Sequence, residues 1–173
     1  MKAIFLDIDG VLNADDDFGA GKENPQICGF RGISAAKVQH LKRIVDATGA
    51  KIVLVSTWKH DYEDYLENGK NPFGKYLAES LAAKGLAIFD TTILYAPKTD
   101  VFRGHEIKRW ITHFPEFIES WVVLDDELFL DYSLFRILSH LVRTEESQGL
   151  TYHKASLAIS RLNDGEISPR LNS

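Results

Sequence analysis

A doubly wound α/β domain is the architecture that this sequence predicts, on three observations. First, four short segments are almost continuously apolar and rich in β-branched residues: KAIFLD (2–7), AKIVLVS (50–56), SWVVLD (120–125) and HLVRT (140–144). Strands covered on both faces, as in a parallel sheet, carry this pattern. Second, stretches with helical spacing alternate with them, the order that builds βα units. Third, three of the strands run straight into polar or acidic residues: Asp7 and Asp9, Ser56 and Thr57, Asp125 and Asp126. In open α/β sheets ligands bind beyond the carboxyl ends of the strands.

The elements follow in order. Strand 2–7 opens the chain and runs into a polar, Gly-rich stretch, NADDDFGAGKENPQICGFRG (13–32). Connections in α/β units are normally about 2–6 residues, so one this long predicts a flap or a minimal cap inserted into the domain. Within it, Asp15, Asp16 and Asp17 read as a solvated loop, because consecutive side chains point in different directions. Ser34 is the expected N-cap of AAKVQHLKRIVDAT, with Val38, Leu41, Ile44 and Val45 on one stripe and Gly49 as its stop. After strand 50–56, PFGKYLAESLAAKG (72–85) predicts a second helix, and LAIFDTT (86–92) is a weaker candidate for a fifth strand. GHEIKRWITHF (104–114) places Ile107, Trp110, Ile111 and Phe114 at helical spacing, with Pro115 after it. Strands 120–125 and 140–144 follow. Thr151 is the expected cap of YHKASLAISRL (152–162), with Leu157, Ala158 and Leu162 turned inward, and DGEISPRLNS reads as a loose tail.

Bulk properties bound the function. The 173 residues are 45% hydrophobic, enough for one domain spanning 1–173 with a real core. A net charge of −5, from 20 basic and 25 acidic residues, advertises no surface for nucleic acid or anionic lipid. The single cysteine, Cys28, excludes an internal disulfide and fits a reducing compartment. No stretch approaches the roughly 18 apolar residues of a membrane span. Asp7 interrupts the N-terminal apolar run before the core of a signal peptide can form. A cytoplasmic protein with no membrane partner is the expectation. Oligomeric state is not legible.

Carboxylates gathered at one sheet edge repel. At about 4 Å and an effective dielectric near 20 the repulsion is on the order of 4 kcal/mol per pair. A cation must offset it. All-oxygen ligands favour a hard ion, and Mg²⁺ typically takes one or two carboxylates together with substrate phosphate and water. Asp7 and Asp9 therefore read as half of a divalent-metal site for a phosphorylated substrate.

Three motifs carry a family resemblance. DIDGVL (7–12) resembles the first motif of the haloacid dehalogenase-like (HAD) superfamily, VLVSTW (53–58) its second and VVLDD (122–126) its fourth. RGHEI (103–107) resembles the third with Arg103 in place of the usual lysine; Lys98 and Lys108 are the alternatives. A closer likeness is to the small capless HAD domains of multi-domain RNA-repair proteins. It rests on STW (56–58), RGHEIKRW (103–110), VLDD (123–126), VRT (142–144) and GLT (149–151). The resemblance implies a HAD-like Rossmannoid three-layer sandwich, with a mainly parallel sheet, helices on both faces and a minimal cap.

It further implies a Mg²⁺-dependent phosphomonoester hydrolase working through an aspartyl-phosphate. In that reading Asp7 is the nucleophile and Asp9 the general acid and base, while Ser56 and Arg103 hold phosphoryl oxygens with help from Thr57. The metal falls to Asp7, the Asp9 carbonyl and Asp126, with Asp125 acting through water and Asp131 a weaker candidate. Trp58 and Asn13 stand beside the motifs and would shape the substrate pocket, although Trp58 also fits a core aromatic. The relatives suggest phosphates on nucleotide or nucleic-acid ends as substrate, which the acidic charge does not support. The alternative is a catalytically silent phosphate-binding or regulatory domain. A receiver-like domain, which also gathers acids at strand ends, would carry its phosphoacceptor on a middle strand.

Overall fold

The protein is described by a computed structural model covering residues 1–17, 32–95, 102–114 and 116–164. Five strands, β1 (Lys2–Leu6), β2 (Lys51–Leu54), β3 (Ile88–Thr91), β4 (Ser120–Asp125) and β5 (Leu141–Arg143), form one sheet. All pairings are parallel, in the order β3-β2-β1-β4-β5. The helices are α1 (Ala35–Thr48), α2 (Lys59–Asn68), α3 (Pro72–Ala82), α4 (Arg103–His113) and α5 (Tyr152–Asp164). The expected doubly wound α/β sandwich is present.

Alternation along each strand builds the two cores. Ile4, Leu6, Ile52, Leu54, Val122, Leu124 and Val142 point to one face, where they pack on Val38, Leu41 and Ile44 of α1, Leu77 and Leu81 of α3, and Ala155, Ala158 and Leu162 of α5. Ala3, Phe5, Val53 and Val123 point to the other face, against Ile107 and Trp110 of α4 and against Tyr132 and Ile137. Trp110 meets Phe5 edge-on at 5.4 Å between ring centroids.

Several local expectations need correction. Ser34 stands where the cap of α1 should, but its side chain makes no capping bond; the helix stops at Gly49 in the left-handed region (φ 68°) as expected. Thr151 does cap α5, accepting the Lys154 N–H at 3.2 Å. On α5, Leu157 is 37% exposed, and Ala155 takes the inward place assigned to it. Helix α2 was not anticipated: Lys59 is its one buried residue, so it shows no apolar stripe. Nor are the three aspartates simply a solvated loop. Asp15–Asp17 form a 3-10 turn, and both Asp16 and Asp17 accept from the buried Lys37 ammonium at 2.8 Å. Residues 18–31 of the expected flap, Cys28, Lys98 and the tail from 165 lie outside the described residues. Among those described, no helix is long and apolar enough to cross a membrane.

The strand order positions the site. From β1 the chain moves outward to β2 and β3, then returns to the other side of β1 for β4 and β5. The connections diverge between β1 and β4, and in such sheets that switch point opens a crevice at the strand ends.

Candidate active site

Asp7 follows β1, and the sheet grips the backbone there from both sides. Its N–H donates to the Leu124 carbonyl at 2.9 Å, and the Leu6 carbonyl accepts from Val55 N–H at 3.0 Å. Asp125 ends β4, and its carbonyl accepts from Thr144 N–H at 2.9 Å. Carboxylate oxygens of Asp7, Asp125 and Asp126 lie within 4.8 Å of one another. The two acidic clusters of the sequence do share one site.

Gly10 allows this approach. Its φ is +65°, and a Cβ on it would overlap the Asp126 carboxylate. Two bonds hold the turn: Gly10 N–H donates to Asn13 Oδ1 (3.0 Å), and Gly10 O accepts from Thr144 Oγ1 (2.8 Å).

Arg103 supplies the cation. It is the first residue of α4, is 8% exposed, and sets Nη1 3.1 Å from Asp7 Oδ1 and 2.9 Å from Asp125 Oδ2. Lys108, an alternative for this role, is exposed further along α4. Asp125 is heavily engaged, since Oδ2 also accepts from the Tyr132 hydroxyl at 2.6 Å and Oδ1 accepts from Glu127 N–H at 2.9 Å. Asp131, the weaker candidate for the metal, is engaged elsewhere. It accepts from Gly104 N–H (3.2 Å) and His105 N–H (2.8 Å) at the start of α4, where a negative charge suits the helix dipole.

Asp9 is exposed, and both of its oxygens are held. Asn13 Nδ2 donates to Oδ1 at 2.8 Å and Trp58 Nε1 to Oδ2 at 2.9 Å. Trp58 thus belongs to the core (6% exposed) and reaches the site with its one polar atom. Ser56 is buried beside Asp7, while Thr57 is exposed on the cleft. The cleft has a volume of about 1470 Å³; Asp7, Asp9, Arg103 and Asp126 line it, with Arg143 and Lys154 further along its wall.

Electrostatics follow from this crowding. Burial pushes the Asp7 carboxyl up to about 7, opposed by Arg103, raised further by Asp125 and lowered by the Ser56 hydroxyl. Burial, and then Asp125, push Asp126 up to about 6. Burial works against the charge of Arg103, but Asp7 and Asp125 outweigh it and hold the guanidinium charged. Burial and Asp125 raise Tyr132, which stays a protonated donor. Two carboxyls that resist ionisation next to a third, all with oxygen donors, fit a hard divalent cation, which favours their charged forms. Asp7 and Asp126 could ligate it directly. Asp125, fully buried and already held by Arg103, Tyr132 and Glu127 N–H, suits a supporting place.

One pair was not foreseen. Lys59 and Glu106, 1% and 2% exposed, meet at 3.3 Å, and Glu106 also accepts from Thr92 Oγ1 at 2.8 Å. The pair ties the start of α2 to the first turn of α4, three residues from Arg103. The only signal was a lysine placed directly behind a buried strand and its Ser-Thr-Trp.

A parallel sheet of this order, with an Asp-x-Asp-Gly turn after its first strand and an acidic pair after its fourth, defines a HAD-type domain of a hydrolase superfamily. More narrowly, the chain belongs to the family described as the HAD domain in Swiss Army Knife RNA repair proteins, whose family model matches residues 3–155. No curated protein and no solved structure matches the chain.

Proposed function

We propose that this domain is a Mg²⁺-dependent phosphomonoester hydrolase working through an aspartyl-phosphate. The observation that carries the reading is the Arg103 guanidinium bridging Asp7 and Asp125, with Asp126 alongside.

Asp7 attacks phosphorus as the ester P–O bond breaks, and Asp9 gives its proton to the departing oxygen. Asp9, now a carboxylate, takes a proton from water. The resulting hydroxide attacks the acyl-phosphate at phosphorus, releasing phosphate and Asp7. Arg103 and Ser56 hold phosphoryl oxygens and stabilise the charge that spreads over them in each transition state. Thr57, exposed beside them, assists. Magnesium, when bound by Asp7, Asp126 and the Asp9 carbonyl, supplies positive charge against the phosphoryl oxygens. Phosphorylated nucleic-acid ends are the substrate class of this reading, supported by the family's description as a domain of RNA repair proteins.

The test is hydrolysis of 4-nitrophenyl phosphate with and without Mg²⁺, followed by acid quench of the Asp9→Asn protein. Magnesium-dependent turnover and a trapped, base-labile phosphoryl group on Asp7 are expected. Phosphate binding without turnover would reduce the domain to a silent phosphate receptor.

A further inference from the structure

We propose that Trp58 is a positioning residue that, together with Asn13 of the cleft lining, aims Asp9 for proton transfer, and is not itself a wall of the substrate pocket. The inference rests on the hydrolase reading and adds a role to it.

Asp9 is exposed, and an exposed aspartate samples several rotamers. Here two donors fix it from below: Trp58 Nε1 on Oδ2 at 2.9 Å and Asn13 Nδ2 on Oδ1 at 2.8 Å. Both donors come from buried residues, 6% and 0% exposed, so neither can drift. Asn13 is itself tied down, its oxygen accepting from Gly10 N–H at 3.0 Å. Trp58 lies in the turn that leads out of β2. That single turn serves both acids, offering Ser56 to Asp7 and the Trp58 indole to Asp9. An indole has one polar atom, a donor, and no second way to pair. Each carboxylate oxygen accepts two bonds, so Asp9 keeps one free lone pair on each oxygen to carry the proton. The clamp fixes the direction of that lone pair, and a displaced proton donor loses rate steeply.

The experiment compares leaving groups. Dinitrophenolate departs without a proton, whereas an alkoxide needs one. We would measure kcat/KM for 2,4-dinitrophenyl phosphate and for an alkyl phosphate in wild type, in Trp58→Phe, and in a chain carrying 3-benzothienylalanine at position 58. That analogue keeps the shape of tryptophan with sulfur in place of N–H, and it carries the test if the Phe variant does not fold. In both variants the loss on the alkyl phosphate should exceed the loss on the dinitrophenyl ester by about tenfold or more. In an Asp9→Asn background the same changes should add no selective loss. Equal losses on the two substrates, or no loss, in folded variants would overturn the role of Trp58 alone. A wild-type protein that hydrolyses neither ester would instead overturn the reaction, and this role with it.

Discussion

Asp7 sits where a charge is costly, and that makes its protonation a report on the site. In an unfolded chain the carboxyl titrates near 3.8; in the native protein it is raised to about 7, and Asp126 to about 6. Across that window the native state holds protons that the unfolded state has released. The stability that these groups contribute therefore falls as pH rises from about 4 to 7. A divalent cation binds the ionised forms and so stabilises the fold most where protons no longer compete. Thermal unfolding should show a larger Mg²⁺-induced rise in Tm at pH 8 than at pH 5; an equal or smaller rise at pH 8 would contradict the site. Asp7→Asn removes the buried charge. Without metal it should melt at or above the wild-type Tm at pH 8 and lose most of the Mg²⁺ effect. Its turnover should fall by at least about a thousandfold, as expected for loss of a nucleophile.

At the scale of elements, α4 is the part whose placement decides whether Arg103 reaches both carboxylates. The Lys59–Glu106 pair fastens its first turn to α2 inside the protein. Breaking one partner of a buried pair leaves an uncompensated charge, so Glu106→Gln should destabilise by about 3–5 kcal/mol. Urea unfolding at unchanged m-value would show it, and the double variant Lys59→Met with Glu106→Leu should recover much of the loss. This pair marks a limit of what the sequence discloses. Strands β1, β2, β4 and β5 were legible because their central residues are apolar on both faces, with polar residues only at the ends. Asp7, Asp125, Asp126 and Arg103 were legible because their motifs follow those strands or open a helix in fixed order. Helix α2 was not, since it buries a lysine instead of an apolar stripe. The Asp16 and Asp17 pairing with Lys37 was not, because it joins residues some twenty positions apart through the fold. The bond from Trp58 to Asp9 spans 49 positions, and nothing local in either segment encodes it.

For the molecule as a whole, the sheet order fixes where the cleft opens and the cleft bounds the substrate. Small-molecule pockets run to roughly 300–1,000 Å³, and this one, at about 1470 Å³, exceeds that range. On the proposed phosphatase reading, a cleft of that size leaves room for the end of a polymer. The walls, however, are mixed in sign: Arg143 and Lys154 line the cleft together with Glu127, Glu145 and Glu146. Apart from Arg103, those two are the cations that line the cleft among the described residues. Neutralising single-strand phosphates makes log K fall with log salt at about −0.7 per contact. Extending a phosphorylated mononucleotide to an oligonucleotide should thus steepen that slope by no more than about 1.4. Affinity should level off within a few nucleotides. Binding of end-phosphorylated oligonucleotides of increasing length to the Asp7→Asn protein, titrated across salt, measures both quantities. A much steeper slope would require basic residues other than these two, and a preference for sugar phosphates over every oligonucleotide would remove the polymer end from consideration.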